Sequence, residues 1–149
     1  MRSIKSHKLS QLLMQLRFTP EPKKRAQLEA AEKLFAMIDD ERQYPYDFVC
    51  FQITGYNPKT GDEQEELING RDLRDDLQVF LTKLSGKLAT PVAQEGERVY
   101  TVDELATKFD VSTKTIGRWR KRGLLARKFV FDDGAHRLGF LASTVEAFT

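Results

Sequence analysis

Residues 100–125 read YTVDELATKFDVSTKTIGRWRKRGLL, and this stretch contains two helix starts in close succession. Thr101 and Glu104 have the spacing of a capping box, which predicts a short first helix. Ser112 can accept hydrogen bonds from the free amides that open a second helix at Thr113. Because only about three residues separate the two helices, they must cross steeply, as in a helix-turn-helix.

The spacing of apolar residues predicts which side of each helix faces the shared core. Small Ala106 allows the second helix to approach the first, and Asp110 tolerates the left-handed backbone of the turn better than most residues. The spacing of Trp119 from Ile116 favours a core position over a base-stacking platform. The predicted core residues are Leu105, Val111, Ile116 and Trp119.

The opposite face of the second helix is predicted to meet DNA. Residues 113–122 contain five lysines or arginines and no acid, which favours DNA binding over a merely solvated face. Lys114 and Arg118 match the two acceptors of guanine in the major groove, and Arg120 and Arg122 are placed to reach phosphates. The predicted DNA-binding residues of this helix are Ser112, Thr113, Lys114, Gly117, Arg118, Arg120, Lys121 and Arg122.

A β-hairpin is predicted after Gly123, because Asp133-Gly134 lies between two apolar runs. A hairpin that follows a recognition helix is a wing, and its basic residues would lie near the DNA backbone. These residues are Arg127, Lys128, His136 and Arg137. Ser143 and Glu146 form a further capping-box pattern, which predicts a helix from about Thr144 that the end of the sequence truncates.

The remaining sequence predicts an α+β chain with four segments. Residues 1–23 are interpreted as a basic flexible arm with at most one helix, and residues 89–98 as a linker. Residues 24–88 are predicted to form a small acidic α/β unit, and residues 99–149 the winged helix-turn-helix. In the acidic unit, apolar spacing predicts helices at 24–42 and 73–84, a strand at 48–53 and a second strand at 66–68.

Charge is distributed unevenly, although the net charge is only +2. Residues 1–25 carry seven Lys/Arg and one acid, residues 26–97 seven and fifteen, and residues 98–149 ten and six. The basic carboxy-terminal part is the predicted partner of double-stranded DNA. The acidic middle part suggests a separate protein partner.

Other functions are not favoured by this sequence. It contains no nucleophile–base pair, convergent carboxylate pair or phosphate-binding loop at recognisable spacing, so we expect no enzymatic activity. A single cysteine, Cys50, and two histidines, His7 and His136, predict no metal site and no cofactor. No apolar run is long enough for a membrane helix, and we expect a cytoplasmic, nucleoid-associated protein.

Residues 100–148 resemble the winged-helix DNA-binding domain of MerR-type regulators. The matching elements are Tyr100-Thr101-Val102, Glu104-Leu105-Ala106, Val111-Ser112, Thr115-Ile116, Arg118-Trp119, Gly123-Leu124-Leu125 and Gly134 to Arg137. MerR regulators place this domain first, followed by a dimerisation helix and an effector domain. This sequence places it last, which argues against a metal or drug sensor.

Nearly the whole chain also resembles the amino-terminal extension of planctomycete-type bacterial RNA polymerase sigma factors. The matching segments are 46–56, 70–77, 99–105, 127–131 and 139–141. The resemblance implies contacts with DNA and, through residues 24–88, with RNA polymerase. It also implies that the natural protein continues past Thr149 into promoter-binding regions.

Two alternatives to sequence-specific DNA binding remain open. In the first, the chain is a protein-interaction module that docks on RNA polymerase or a regulator, and the basic helix only adds solubility. In the second, it is an excisionase-like DNA-bending factor, although the acidic middle segment argues mildly against this.

Overall fold

A computed structural model describes residues 3–58 and 66–149, which combine helices with two small antiparallel sheets, so the predicted α+β class is confirmed. The chain divides into two compact units, unit 1 (Met1–Leu84) and unit 2 (Ser85–Thr149). This division differs from the predicted segments, because residues 3–23 belong to unit 1 and residues 85–98 to unit 2.

The described part of unit 1 consists of helices and one two-stranded sheet. The elements are α1 (His7–Leu16), α2 (Glu21–Met37), β1 (Gln43–Pro45), α3 (Tyr46–Thr54), β2 (Leu67–Asn69) and α4 (Gly70–Leu88), which continues into unit 2. Strands β1 and β2 pair antiparallel, so the second predicted strand is confirmed within one residue. At the start of α4 a Cβ atom on Gly70 would lie 1.9 Å from the carbonyl oxygen of Asp39, so this close approach requires glycine.

The amino-terminal segment contains the one helix that the interpretation as a flexible arm allowed, but this helix is packed within unit 1. Three leucines of α1 are buried: Leu9, Leu12 and Leu16. The hydroxyl of Ser6 accepts from the Leu9 amide at 3.3 Å and caps the helix. The buried carboxylate of Asp76 accepts from the amides of Lys5 and Ser6 at 2.8 and 3.0 Å. These bonds supply acceptors for the two backbone amides immediately before α1.

The predicted strand at 48–53 is wrong, because these residues lie in α3. Pro45 precedes the first turn, and Gly55 ends the helix in a left-handed conformation (φ 73°), where its amide donates to the Phe51 carbonyl. The buried side chains recur with helical spacing: Tyr46, Val49, Cys50 and Ile53. Apolar residues also occupy the outer face, as at Phe51, and this obscured the helical period in so short a segment.

Unit 2 packs three helices around a three-stranded antiparallel sheet. Its elements after α4 are a short 3-10 helix (Val92–Gln94), β3 (Val99–Tyr100), α5 (Val102–Phe109), α6 (Thr113–Arg122), β4 (Arg127–Val130), β5 (His136–Leu141) and α7 (Ala142–Phe148). The sheet order is β3-β5-β4. The buried core contains Leu105, Ile116, Leu124, Ala126, Phe140 and Val145. A Cβ atom on Gly139 of β5 would lie 2.5 Å from Val99 Cγ1 and 2.6 Å from Phe129 Cδ2.

Residues 89–98 were predicted as a linker, but they form part of unit 2. The carbonyl of Thr90 accepts from the Val130 amide at 2.9 Å, which joins this segment to β4. The predicted capping box of Ser143 and Glu146 is also wrong, because α7 begins earlier, at Ala142. The amide and hydroxyl of Ser143 instead donate to the carboxylate of Glu97, at 2.6 and 3.0 Å.

Candidate nucleic-acid interface

Helix α5 begins with the predicted capping box. The Glu104 amide donates to the Thr101 hydroxyl at 3.1 Å, and the Thr101 amide donates back to the Glu104 carboxylate at 3.0 Å. The bond from Thr101, together with the nearby Arg98 guanidinium, holds the pKa of Glu104 below its usual value. The start of α5 is therefore set by Thr101 and Glu104, which are three positions apart.

The joint between α5 and α6 spans residues 110–112. Asp110 adopts the left-handed conformation (φ 55°), as predicted, and the Val111 amide donates to the Ala106 carbonyl at 2.9 Å. Ser112 caps α6, since its hydroxyl accepts from the Thr115 amide at 3.2 Å. The joint is therefore short and internally hydrogen-bonded, which fixes the direction in which α6 leaves it.

One side of α6 packs into unit 2. Ile116 is fully buried in the core cluster, and the half-buried Trp119 packs against that cluster. The Trp119 ring meets the Phe109 ring edge-on at a centroid distance of 5.4 Å, and its centroid lies 6.0 Å from that of Phe148. The predicted inward placement of Trp119 is therefore confirmed.

The other side of α6 is exposed and basic. Arg120 is half-buried and does not share this exposed side. Gly123 ends the helix at φ 125°. The predicted residues that are exposed are Ser112, Thr113, Lys114, Gly117, Arg118, Lys121 and Arg122; we call this set the α6 face.

Strands β4 and β5 form the predicted hairpin, with Gly134 in its turn at φ 82°. Arg127 and Lys128 on β4 are half-buried, whereas His136 and Arg137 on β5 are exposed. The Lys128 amide donates to the Ser85 hydroxyl at 2.8 Å, which anchors the strand within unit 2. The hairpin therefore presents its cations with unequal exposure.

Arg137 is engaged in an ion pair that the sequence reasoning missed. Its guanidinium donates to both carboxylate oxygens of Asp133, at 3.0 and 2.7 Å, and lies 5.8 Å from the centroid of the Phe131 ring. The Arg137 hydrogen bonds and the Ala135 amide lower the pKa of Asp133 to about 2. The same pair raises the pKa of Arg137. The sequence signal that could have predicted this ion pair is the four-residue spacing between Asp133 and Arg137 across the hairpin turn.

Two cations outside the predicted site lie against the ring of Tyr100. The Arg98 guanidinium lies 4.5 Å and the Lys108 ammonium 5.6 Å from the centroid of its ring. Arg98 also forms an ion pair with Glu104 at 3.1 Å. These interactions hold both cations against the edge of unit 2 that contains β3 and α5.

Comparison of the chain with protein-family models, with curated proteins and with solved structures found no match. Within residues 3–58 and 66–149, no cluster of three or more His, Cys, Asp or Glu side chains could hold a metal ion. Across the same residues, no helix is both long and apolar enough to cross a bilayer.

Proposed function

We propose that unit 2 is a winged helix-turn-helix that binds double-stranded DNA, with α6 in the major groove. The observation that carries this proposal is the division of α6 into two sides. Ile116 and Trp119 pack inward, while the exposed side carries four cations and no acid: Lys114, Arg118, Lys121 and Arg122. The short capped joint supports the proposal, because it makes α6 the second helix of a closely joined pair.

The α6 face suggests a division of roles among its cations. Arg118 lies mid-helix with Lys114 one turn before it, so both are placed to reach base edges, and Arg can pair with the two acceptors of guanine. Arg122 lies at the helix end, where a long side chain reaches phosphate. On the hairpin, the proposed backbone contacts are the exposed His136 and Arg137 and the half-buried Arg127 and Lys128. In this proposal the chain acts in transcription by occupying a preferred DNA sequence.

The test compares Arg118→Ala with Arg122→Ala in the full chain. Duplexes enriched from a random pool, and random duplexes, are titrated by fluorescence anisotropy at several salt concentrations. Loss of a guanine contact should weaken the enriched duplexes by about 1 to 3 kcal/mol and relax the preference at one base pair. Loss of a phosphate contact should weaken all duplexes alike and make the salt slope shallower by about one.

Lys33→Ala serves as the control, because it removes one exposed cation of α2, outside unit 2. It should leave affinity and salt slope nearly unchanged. If Arg118→Ala weakens enriched and random duplexes equally, Arg118 does not read sequence. If the parent chain shows no salt-dependent binding to any duplex, the proposed function is wrong.

A second candidate function concerns unit 1, which we propose as a docking surface for a protein such as RNA polymerase. Its favouring observation is the exposure of large apolar side chains, with Phe18 76% and Tyr56 70% exposed. The sequence around Tyr56 is acidic, with fifteen acids and seven Lys/Arg in residues 26–97, whereas Phe18 lies in the basic residues 1–25. Arg118→Glu should abolish DNA retention but spare polymerase binding, whereas Phe18→Ser should do the reverse in co-sedimentation with purified core polymerase.

A further inference from the structure

Gly117 occupies the middle of α6, although packing within unit 2 does not require glycine there. Apart from its chain neighbours and the backbone of α6 itself, a Cβ atom at this position would have no described atom within 4 Å, and the backbone is not in the left-handed region. Gly139 differs, since a Cβ there would collide with Val99 and Phe129. Gly70 differs in the same way, because a Cβ would meet the backbone. The presence of glycine at position 117 therefore has no internal structural cause.

Glycine at this position weakens the helix that carries it. A mid-helix glycine is less favourable than alanine because it loses more backbone entropy on folding. Helix α6 has only ten residues, so each unfavourable position matters. Gly117 also lies within the α6 face, with Thr113 and Lys114 one turn before it and Lys121 one turn after it. Because Gly117 has no side chain, the helix backbone is exposed between the neighbouring side chains. We call this exposed backbone the low point of the α6 face, and an external surface can approach the helix closely there.

The chemistry of this low point limits what can meet it. Inside a helix the amide and carbonyl of residue 117 are engaged in helical hydrogen bonds. The accessible surface is then the Cα with its hydrogens, which is apolar. Base edges in the major groove display donors, acceptors and one apolar group, the C5 methyl of thymine. Apolar backbone surface and thymine methyl are therefore the complementary pair.

We propose that Gly117 determines specificity by admitting the methyl group of a thymine against the backbone of α6. This inference rests on the proposed DNA binding and adds the identity of one recognised base. Lys114 and Arg118 on either side would supply the polar contacts, while the absent side chain sets how deeply the helix enters the groove.

The experiment uses the full chain and duplexes enriched from a random pool. Each thymine is replaced in turn by deoxyuridine, which lacks only the methyl group. At one position the parent chain should lose about fourfold in affinity, the scale expected for burying one methyl-sized group. Gly117→Ala should bind the thymine duplex about tenfold more weakly, on the scale of one lost base contact, and should no longer distinguish thymine from deoxyuridine.

Stability provides an independent readout. Because the added methyl meets open space and favours the helix, Gly117→Ala should raise the Tm of unit 2 by about 2 to 6 °C while DNA affinity falls. Gly96→Ala is the matched control, because a Cβ there also meets open space but lies outside α6. This control should keep parental affinity and parental thymine discrimination.

The outcomes separate this inference from the function on which it rests. If the parent chain enriches no duplex, the proposed DNA binding fails. If it binds but tolerates deoxyuridine at every position, the thymine contact is refuted while DNA binding stands. Gly117→Ala with parental affinity and discrimination would overturn the role of Gly117. The deoxyuridine series on the parent chain decides the methyl contact even without a folded variant.

Discussion

If unit 2 binds DNA as proposed, the ion pair between Asp133 and Arg137 predicts that removing an acid from the hairpin will strengthen that binding. In this pair, the Arg137 guanidinium donates one hydrogen bond to each carboxylate oxygen of Asp133, at 3.0 and 2.7 Å. A phosphate must displace Asp133 before it can use Arg137 in the same way, and the carboxylate itself repels the DNA backbone. Asp133→Asn removes this charge but keeps a side-chain oxygen that can accept from the Ala135 amide.

The magnitude follows from counterion release. If Arg137 neutralises one additional phosphate in the variant, the slope of log K against log salt should become more negative by about 0.9. At a salt concentration of about 0.1 M this corresponds to roughly eightfold tighter binding. Fluorescence anisotropy titrations of a random duplex at several salt concentrations measure both quantities.

Asp132→Asn is the matched control, because it removes the neighbouring exposed charge but leaves the Asp133–Arg137 pair. Changing pH cannot replace the substitution. The pKa of Asp133 is lowered to about 2. The ion pair is therefore intact at every pH above the ordinary aspartate pKa, and it is lost as the pH falls through the lowered pKa of Asp133. Equal affinities and slopes for both variants would refute the idea that Asp133 restrains Arg137.

Three stability predictions test the packing. Gly139→Ala should destabilise unit 2 by about 1 to 3 kcal/mol through overpacking, and unchanged thermal unfolding would contradict the close contacts at this position. Asp76→Ala should destabilise unit 1 by about 1 to 3 kcal/mol, because it leaves two backbone amides without their acceptor; chemical denaturation measures the loss, and a shift below 0.5 kcal/mol would contradict this role. Trp119→Ala should destabilise unit 2 by less than the about 3 to 5 kcal/mol expected for a fully buried large aromatic, because Trp119 is partly exposed. A circular dichroism melting curve that matches the parent would refute the inward placement of Trp119.

The parts of the site that sequence predicted best depend on short-range interactions. The pairing of Thr101 with Glu104 and the cap by Ser112 each involve residues three positions apart, so their pattern is visible in one dimension. Asp110 was predictable because few non-glycine residues tolerate a left-handed backbone. The exposed side of α6 then followed from helical spacing.

The parts that sequence missed depend on distant partners or on ambiguous patterns. Ser143 was expected to cap its own helix, but Glu97, 46 positions away, takes both of its donors. The α3 segment is apolar on more than one side, so a strand and a short buried helix look alike in sequence. Residue 90 is joined to unit 2 by a hydrogen bond from the Val130 amide to its carbonyl. No local sequence pattern predicts this bond, because the two residues are 40 positions apart.

The bonds from Asp76 to the start of α1 also constrain the order in which unit 1 completes its fold. These hydrogen bonds join positions 71 and 70 residues apart, so during synthesis α1 emerges long before Asp76, the acceptor of both bonds, exists. At about 5 to 20 residues per second, the interval on the ribosome is several seconds. Until Asp76 has been synthesised, the amides of Lys5 and Ser6 lack their carboxylate acceptor, so the amino-terminal end of α1 reaches its final hydrogen bonding only after most of unit 1 has left the ribosome.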